Sequence, residues 1–443
     1  MEENQEVKTG ASIVQALNRG KEPFILGAIL LLGLLLRIYN INFPSIGYHN
    51  MKENEYLSMA QAMKDGEDFI TRRIYFYDAF NENPKMRIYP QVPLISYQIL
   101  ISWKILGENL WGARLFNIIF GVLSILVIYF ISQVLFRKKM LSLFCAFLLA
   151  IMPLAVFFSR NIQPESPAFF FMLLGNLFYL RFASSLKKYN LFLGGLSFSL
   201  AWLYKVSFVF GMLPFIFCMP FRTLWKEKKE LFKCVIIFSA PYLVILIAFL
   251  WFKYIGQWEF QELGRVKIGE ILTLAYWKKY GRMIWWYARG ENFTWVYTIS
   301  ALLGIALACT RRKGLLNRYI IGWTLTIIPY SLVFSDYINQ HNYYQLPFLA
   351  MVCISTVYII SGISETIKKF LQKSLLIYIM IITAGISVPF VFNSISRMHA
   401  TVFLGVDVAG ESLKEFTKPD ERIFLNTYAQ GFGIARYARR YMG

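Results

Sequence analysis

Eleven long apolar runs constrain this chain more than any other feature; they fall at 24–42, 110–136, 140–158, 167–182, 190–205, 208–221, 233–252, 294–310, 318–334, 345–364 and 374–393. About 20 apolar residues cross a hydrocarbon core. Backbone groups that find no water there must pair within the run, which forces helices. The chain therefore reads as an all-α polytopic membrane protein with about 11 transmembrane helices. Charge alternates from loop to loop. The tail carries Lys8, Arg19 and Lys21. Every second loop is basic: Arg137, Lys138 and Lys139; Arg181, Lys187 and Lys188; Arg222, Lys226, Lys228, Lys229 and Lys233; Arg311, Arg312, Lys313 and Arg318; Lys368, Lys369 and Lys373. The intervening loops 159–166 and 335–345 hold one basic residue or none. Positive residues keep a loop in the cytoplasm. The pattern thus predicts a multi-pass cell-membrane protein with a cytoplasmic N-terminus, a C-terminus outside, and its informative polar residues on the extracytoplasmic face.

Composition supports the same class. The chain has 443 residues, 57% apolar and 18% aromatic, with a net charge of +20. That charge is the bias of the inner loops plus a few basic outer loops, so nucleic acid is not implied. The first run lacks a small-residue cleavage site and reads as an anchor. The five cysteines, at 145, 218, 234, 309 and 353, lie in or at the ends of apolar runs. Small apolar packing residues are the plain reading, with no disulfide or zinc spacing.

Two loops break the short-loop pattern. In 43–109, a helix is predicted over 54–64, where Tyr56, Met59 and Met63 share a face, followed by turn-rich 78–84 and an amphipathic helix over 94–106. Loop 253–292 carries Trp258, Trp277, Trp285, Trp286 and Tyr287 among Lys267, Lys278, Lys279, Arg282 and Arg289. Both suit helices lying in the headgroup region. The basic charge of the second fits lipid phosphate as well as ordinary anchoring. Two domains are expected: a membrane domain, 1–393, and an extracytoplasmic segment, 394–443, reading as helix, strand (421–426) and helix, the start of a small soluble α/β domain.

Four polar clusters can carry chemistry. Lys52-Glu53-Asn54-Glu55-Tyr56 offers two carboxylates; acids at a helix start also favour its dipole, while a carboxylate can take a proton from an acceptor hydroxyl or amine. Glu165 in 159–167 precedes Ser166 and Pro167, a normal helix start, yet a carboxylate at membrane depth is usually functional. Lys205 ends a run after Trp202 and Tyr204, where snorkelling is the plain reading. His341-Asn342-Tyr343-Tyr344-Gln345-Leu346-Pro347 enters the tenth run.

In this order the clusters resemble the polyprenyl-phosphate-dependent glycosyltransferases of the C superfamily, the group of the protein O-mannosyltransferases and the aminoarabinose transferase of lipid A. The resemblance covers roughly residues 31–347. Glu53 takes the Glu of the family's Asp-Glu-x-x-Tyr, and Lys52 replaces its Asp. Tyr89-Pro90-Gln91-Val92-Pro93-Leu94 resembles the Pro-Pro-Leu element, with Lys85 or Arg87 standing for its lysine. Gly107 and Gly112-Ala113-Arg114-Leu115 match the glycine and Ala-Arg opening the second span. Arg160 to Pro167 resembles the Arg…Asp-x-Pro element, with Glu165 for Asp. Lys205 matches a lysine, and residues 341–347 match His-x-Tyr-Tyr-x-Leu-Pro, the most specific element.

The resemblance implies a sugar carried on a polyprenyl phosphate and transferred, with inversion, to an acceptor protein, lipid or glycan on the outer face. No Gly-rich nucleotide loop is found. Glu53 and Glu165 would be catalytic, with Glu55 as the alternative base. Lys205, Arg160, His341, Tyr343, Tyr344, Lys85 and Arg87 would bind donor phosphate or sugar. A divalent cation at Glu53 and Glu165 is permitted. The other readings are an inactive relative that binds a lipid-linked glycan, which Lys52 keeps open, and a lipid or solute transporter, whose charges would lie within the spans.

Overall fold

The computed structural model describes residues 3–66, 73–77, 86–88, 92–226, 228–255, 268–311, 314–372, 374–426 and 430–442. The chain begins with α1 (Glu3–Ile38) and α2 (Asn50–Lys64), then pairs β1 (Arg73–Tyr77) with β2 (Met86–Ile88), antiparallel. Next come α3 (Leu94–Leu106), α4 (Leu110–Phe136), α5 (Lys139–Ile151), α6 (Pro153–Arg160), α7 (Glu165–Ser185) and α8 (Lys188–Tyr204). A 3-10 segment (Val206–Met212) leads into α9 (Pro214–Cys218), α10 (Phe221–Leu224) and α11 (Lys228–Ile255). After α12 (Ile268–Ile271), α13 (Leu274–Trp286) runs into a π-helix (Tyr287–Asn292) and α14 (Thr294–Thr310). The chain ends with α15 (Leu315–Val333), α16 (Ser335–Ile338), a 3-10 segment (Asn342–Phe348), α17 (Leu349–Leu371), α18 (Leu376–Ala400), α19 (Val406–Phe416) and α20 (Gly431–Ala438).

The molecule is a helical, multi-pass membrane protein. Where eleven runs were read, five helices among the described residues are long and apolar enough to cross a membrane, or seven if each of two bent pairs is one span. Run 140–158 is one such pair: α5 and α6 meet at 56°. Pro153 has no N–H and cannot continue the ladder of α5. Arg37, fully buried, takes up the carbonyls released there, donating to Ala150 O (3.0 Å), Leu149 O (3.4 Å) and Gly33 O (2.9 Å). A cation at the end of a helix also meets its dipole. Run 208–221 is likewise divided between the 3-10 segment and α9.

The expected helices of the first loop are present, α2 starting four residues early and α3 as read. Gly107, at φ 77°, ends α3, and Asn109 caps α4 by accepting from Gly112 N (2.6 Å). Residues 78–84, Lys85 and Trp258 lie outside the described residues. The β structure, expected near the C-terminus, is instead the β1–β2 pair. The predicted strand over 421–426 shrinks to a single bridge between Ile423 and Met442, because those two residues meet without a second strand to extend the ladder. The segment after 393 packs back onto the first loop: Phe403 N donates to Ile46 O (2.7 Å), Ser45 N to Tyr437 Oη (2.9 Å) and Asn50 Nδ2 to Gln430 Oε1 (2.8 Å).

Candidate active site

Asn161 to Pro164, between α6 and α7, is buried, so its peptide groups need partners from the protein. Asn117 Nδ2 donates to Asn161 O (2.5 Å) and Gln163 O (2.8 Å), Ser166 Oγ to Asn117 O (2.7 Å), and Gln163 Nε2 to His49 O (3.3 Å). This fixed link sets Glu165 in the first turn of α7.

Glu165, 1% exposed, pairs through Oε1 with the Lys205 ammonium, which follows α8. Glu165 Oε2 is buried and has no hydrogen-bond partner among the described residues. Lys205 Nζ also lies 4.2 Å from the ring centre of Tyr343 and 4.7 Å from that of Tyr344, a favourable place for a cation. His341 stacks on Tyr343 at 5.0 Å. Tyr330 Oη donates to Tyr344 O (2.7 Å) and holds that strand of the site in place. Burial, followed by Lys205 and Lys52, pushes the His341 imidazole down to about 4, so it is neutral at pH 7. Both ammonium groups thus act on this ring electrostatically. Lys52 Nζ lies 2.9 Å from the buried Glu55 carboxylate. Two ammonium–carboxylate pairs therefore border one aromatic cluster.

Glu53 occupies a different place. It is 4% exposed. Arg114 grips it bidentately, Nε to Oε1 and Nη2 to Oε2, both at 3.0 Å. Ser45 Oγ donates to Oε2 (2.6 Å) and Ile162 N to Oε1 (3.3 Å). Burial alone would raise its pKa, but Arg114, Ser45 and the nearby Arg160 hold it below the usual carboxylate value. Glu53 ties α2, α4 and the α6–α7 link together. Arg160 donates to Tyr39 O (3.1 Å) and Asn40 O (3.0 Å) and acts on Glu53. Arg87 lies on β2, and Lys85 is outside the described residues.

Glu53 and Glu165, the carboxylates read as a permitted cation site, each hold a cationic side chain. A cation shared by Glu53 and Glu165 would have to displace Arg114 from one carboxylate and Lys205 from the other. Among the described residues no three His, Cys, Asp or Glu side chains gather as a ligand set, where calcium or magnesium needs several oxygens.

Two site residues escape a reading by motif, and so does the role of a third. Arg114 was matched as part of a motif, but its grip on Glu53 spans 61 residues of sequence. His49 lies one helical turn before Lys52, and its ring meets the edge of Tyr343 at 5.0 Å; being one of only three histidines was its signal. Glu291, an acid in a basic aromatic loop, accepts from Asn342 Nδ2 (3.1 Å).

Comparison with known proteins agrees with this architecture. Residues 90–255 match a family described as dolichyl-phosphate-mannose-protein mannosyltransferase. An uncharacterized protein of Aquifex aeolicus is 23% identical over 375 residues, 83% of this chain and 70% of that protein. The undecaprenyl phosphate-α-4-amino-4-deoxy-L-arabinose arabinosyl transferase of Pseudomonas aeruginosa is 28% identical over 181 residues, 40% of this chain and 31% of that enzyme. The oligosaccharyltransferase of Archaeoglobus fulgidus, solved with Zn and sulfate, superposes with a TM-score of 0.66 at 16% identity, over 94% of this chain and 62% of that one. ArnT from Cupriavidus metallidurans, solved with undecaprenyl phosphate, gives 0.60 at 12%, over 96% and 85%. The chain therefore shares the fold of these two solved glycosyltransferases, which is the fold its motif resemblance implies. It spans less than two thirds of the archaeal enzyme's length.

Proposed function

We propose that this protein transfers a sugar from a polyprenyl phosphate to an acceptor on the extracytoplasmic face, with inversion at the sugar. The observation that carries the reading is the Lys205–Glu165 pair in its aromatic setting, with Glu165 Oε2 buried and unpartnered. Lys205 is the group that meets the donor phosphate. As its ammonium turns from Glu165 to the phosphate, the Glu165 carboxylate is freed to accept the proton of the incoming hydroxyl or amine. The acceptor oxygen or nitrogen bonds to the anomeric carbon, and the polyprenyl phosphate leaves with the electron pair of the broken C–O bond, its charge met by Lys205 and Lys52. Proton acceptance of this kind contributes roughly 10²–10⁴-fold. Tyr343, Tyr344 and His341 shape the pocket. Glu53, expected to be the base, is assigned a framework role because Arg114, Ser45 and Ile162 engage both of its oxygens. Glu55, paired with Lys52, is the second carboxylate open to the site.

The name of ArnT's solved complex and that of the Pseudomonas relative both specify undecaprenyl phosphate, which supports this class of donor. The test is binding of undecaprenyl phosphate to the purified protein. Losing a charge-assisted contact is worth about 1.5–3 kcal/mol, so Lys205→Ala should weaken binding roughly 10–100-fold. Lys205→Arg should retain part of it, and Glu165→Gln should leave binding intact but stop transfer. Transfer is read by mass spectrometry of envelope glycans and lipids with and without the protein. Unchanged lipid binding in Lys205→Ala would end this reading.

A further inference from the structure

A second polar chain runs behind the Lys205–Glu165 pair. His49 has φ 60° and ψ 24° and makes no side-chain cap to α2. Its left-handed backbone turns the ring into the site, 4.0 Å from Tyr48 and 5.9 Å from His341 between centroids. Nε2 lies 3.1 Å from Asn342 Oδ1. Asn342 Nδ2 donates to Glu291 Oε2 (3.1 Å), and Glu291 also accepts from Trp286 Nε1 (3.3 Å) and Tyr48 Oη (3.5 Å). Burial raises the Glu291 pKa, yet its carboxyl accepts from all three of these donors, so Asn342 turns its NH₂ to Glu291 and its oxygen to His49. That oxygen only accepts. The proton of the neutral imidazole therefore sits on Nε2, and Nδ1 is left as a lone-pair acceptor. Among the described residues, Nδ1 has no hydrogen-bond partner.

The backbone around Glu291 is built to hold this arrangement. Glu291 lies in the π-helix Tyr287–Asn292, a rare form concentrated at functional sites. Thr294 follows at φ 66°, a strained conformation for a β-branched residue. The two helices there are bent by 110°. Gly290 O accepts from Arg397 Nη2 (2.5 Å) and Ser394 Oγ (2.7 Å), fixing the bend to α18.

The groups facing His49 divide by chemistry. Lys205 is a donor that suits phosphate, and the rings of Tyr343 and His341 suit the apolar face of a sugar. A sugar hydroxyl also needs an acceptor. We infer that His49 recognises carbohydrate at this site: its Nδ1, kept unprotonated through Asn342 by Glu291, accepts a hydrogen bond from a hydroxyl of the glycan brought to Lys205. Asn342 and Glu291 are positioning residues. The inference rests on the glycosyl-transfer reading above.

The test uses the full chain labelled with ¹⁵N-histidine. With only three histidines in the sequence, substitution of each assigns the spectrum. His49 should be the neutral Nε2–H tautomer at pH 7, and Glu291→Leu and Asn342→Leu should each lose that preference. The probes are undecaprenyl phosphate, undecaprenyl-phosphoryl glucose, undecaprenyl-phosphoryl aminoarabinose and methyl glucoside. A shift of Nδ1 with a glycosylated lipid but not with bare undecaprenyl phosphate places the hydroxyl on the donor. A shift only when methyl glucoside is added to the undecaprenyl-phosphate complex places it on the acceptor. His49→Phe should weaken the responding sugar probe about tenfold and leave undecaprenyl phosphate binding unchanged. An Nδ1–H tautomer, or an Nδ1 resonance that no probe moves, would overturn the inference. Failure of bare undecaprenyl phosphate to bind would instead count against the transfer reading and leave the tautomer result standing.

Discussion

Removing the Glu53 charge separates a framework role from a chemical one. In Glu53→Gln the side chain keeps its size, but Arg114, 1% exposed, loses its counter-charge. One amide NH₂ is also turned toward donors that formerly met oxygen. Removing one partner of a buried pair costs about 3–5 kcal/mol. Arg114 keeps its bonds to Ile41 O (2.5 Å) and Phe43 O (2.7 Å), which offset part of the loss, so about 2–4 kcal/mol is expected. The double variant Glu53→Gln with Arg114→Met removes the stranded cation and should recover part of that loss, a coupling that a cycle of the four proteins measures. The assay is unfolding in detergent, followed by intrinsic Trp fluorescence, alongside undecaprenyl phosphate binding. If Glu53→Gln unfolds like the wild type while transfer collapses, the framework account is wrong and Glu53 is the base after all.

Acid should destabilise the protein early. Burial holds His49 at about 3 and His341 at about 4, against an ordinary value of 6.5; both folded-state values are depressed, so the unfolded chain binds more protons between these limits and stability falls as pH drops below 6.5. Two protons give at most about 2.7 kcal/mol per pH unit, and His341→Asn should flatten the slope of a pH–melting curve; a flat wild-type curve from pH 7 to 5 would contradict the burial of these rings. Arg37→Met should destabilise by about 1–3 kcal/mol, because it leaves Ala150 O and Leu149 O without their donor; unchanged melting would show that the α5–α6 break does not need it. For orientation, Cys309, the one exposed natural cysteine among the five, is first replaced by Ala. A cysteine at the exposed Gln340 should then react with an impermeant thiol reagent in intact cells, and one at the exposed Lys187 should not; labelling at Lys187 alone would reverse the proposed topology.

Hydropathy revealed the class, and local periodicity located α2 and α3, because both depend on residues near in sequence. Breaks in the bundle were less legible. Pro153 was visible, but its effect depends on Arg37, 116 residues earlier, taking the freed carbonyls. The β1–β2 pair was missed because the loop was read for helical spacing, and the strand at 421–426 was overread because β-branched residues need a partner strand. At the site, motif order found Glu165, Lys205 and the 341–347 element, which the fold brings together. Residue type alone could not tell Glu53 from Glu55, since both are buried acids on one helix. What distinguishes them is which cation folds against each, and that is set by α4 for Glu53 and by α2 itself for Glu55.

This division bears on Lys52, the residue that departs from the motif the chain otherwise resembles. A lysine where that motif has an acid would be disruptive if the site collected a divalent cation there. Here the neighbouring acid, Glu53, is already neutralised by Arg114, and the ammonium of Lys52 is matched by Glu55 three residues on. The same charge balance recurs at Lys205 and Glu165. On the proposed reading, a lipid phosphate that drew either ammonium to itself would leave a buried carboxylate without its cation, a cost that the proton taken from the acceptor offsets. The substitution that first suggests an inactive chain is thus compatible with a site whose cations come from the protein itself. On that account Lys52→Asp should not improve the enzyme: it would place a second acid beside Glu55, remove one phosphate partner, and lower affinity for undecaprenyl phosphate about tenfold. Tighter binding in Lys52→Asp, or binding that appears only when a divalent cation is added to the wild type, would refute it.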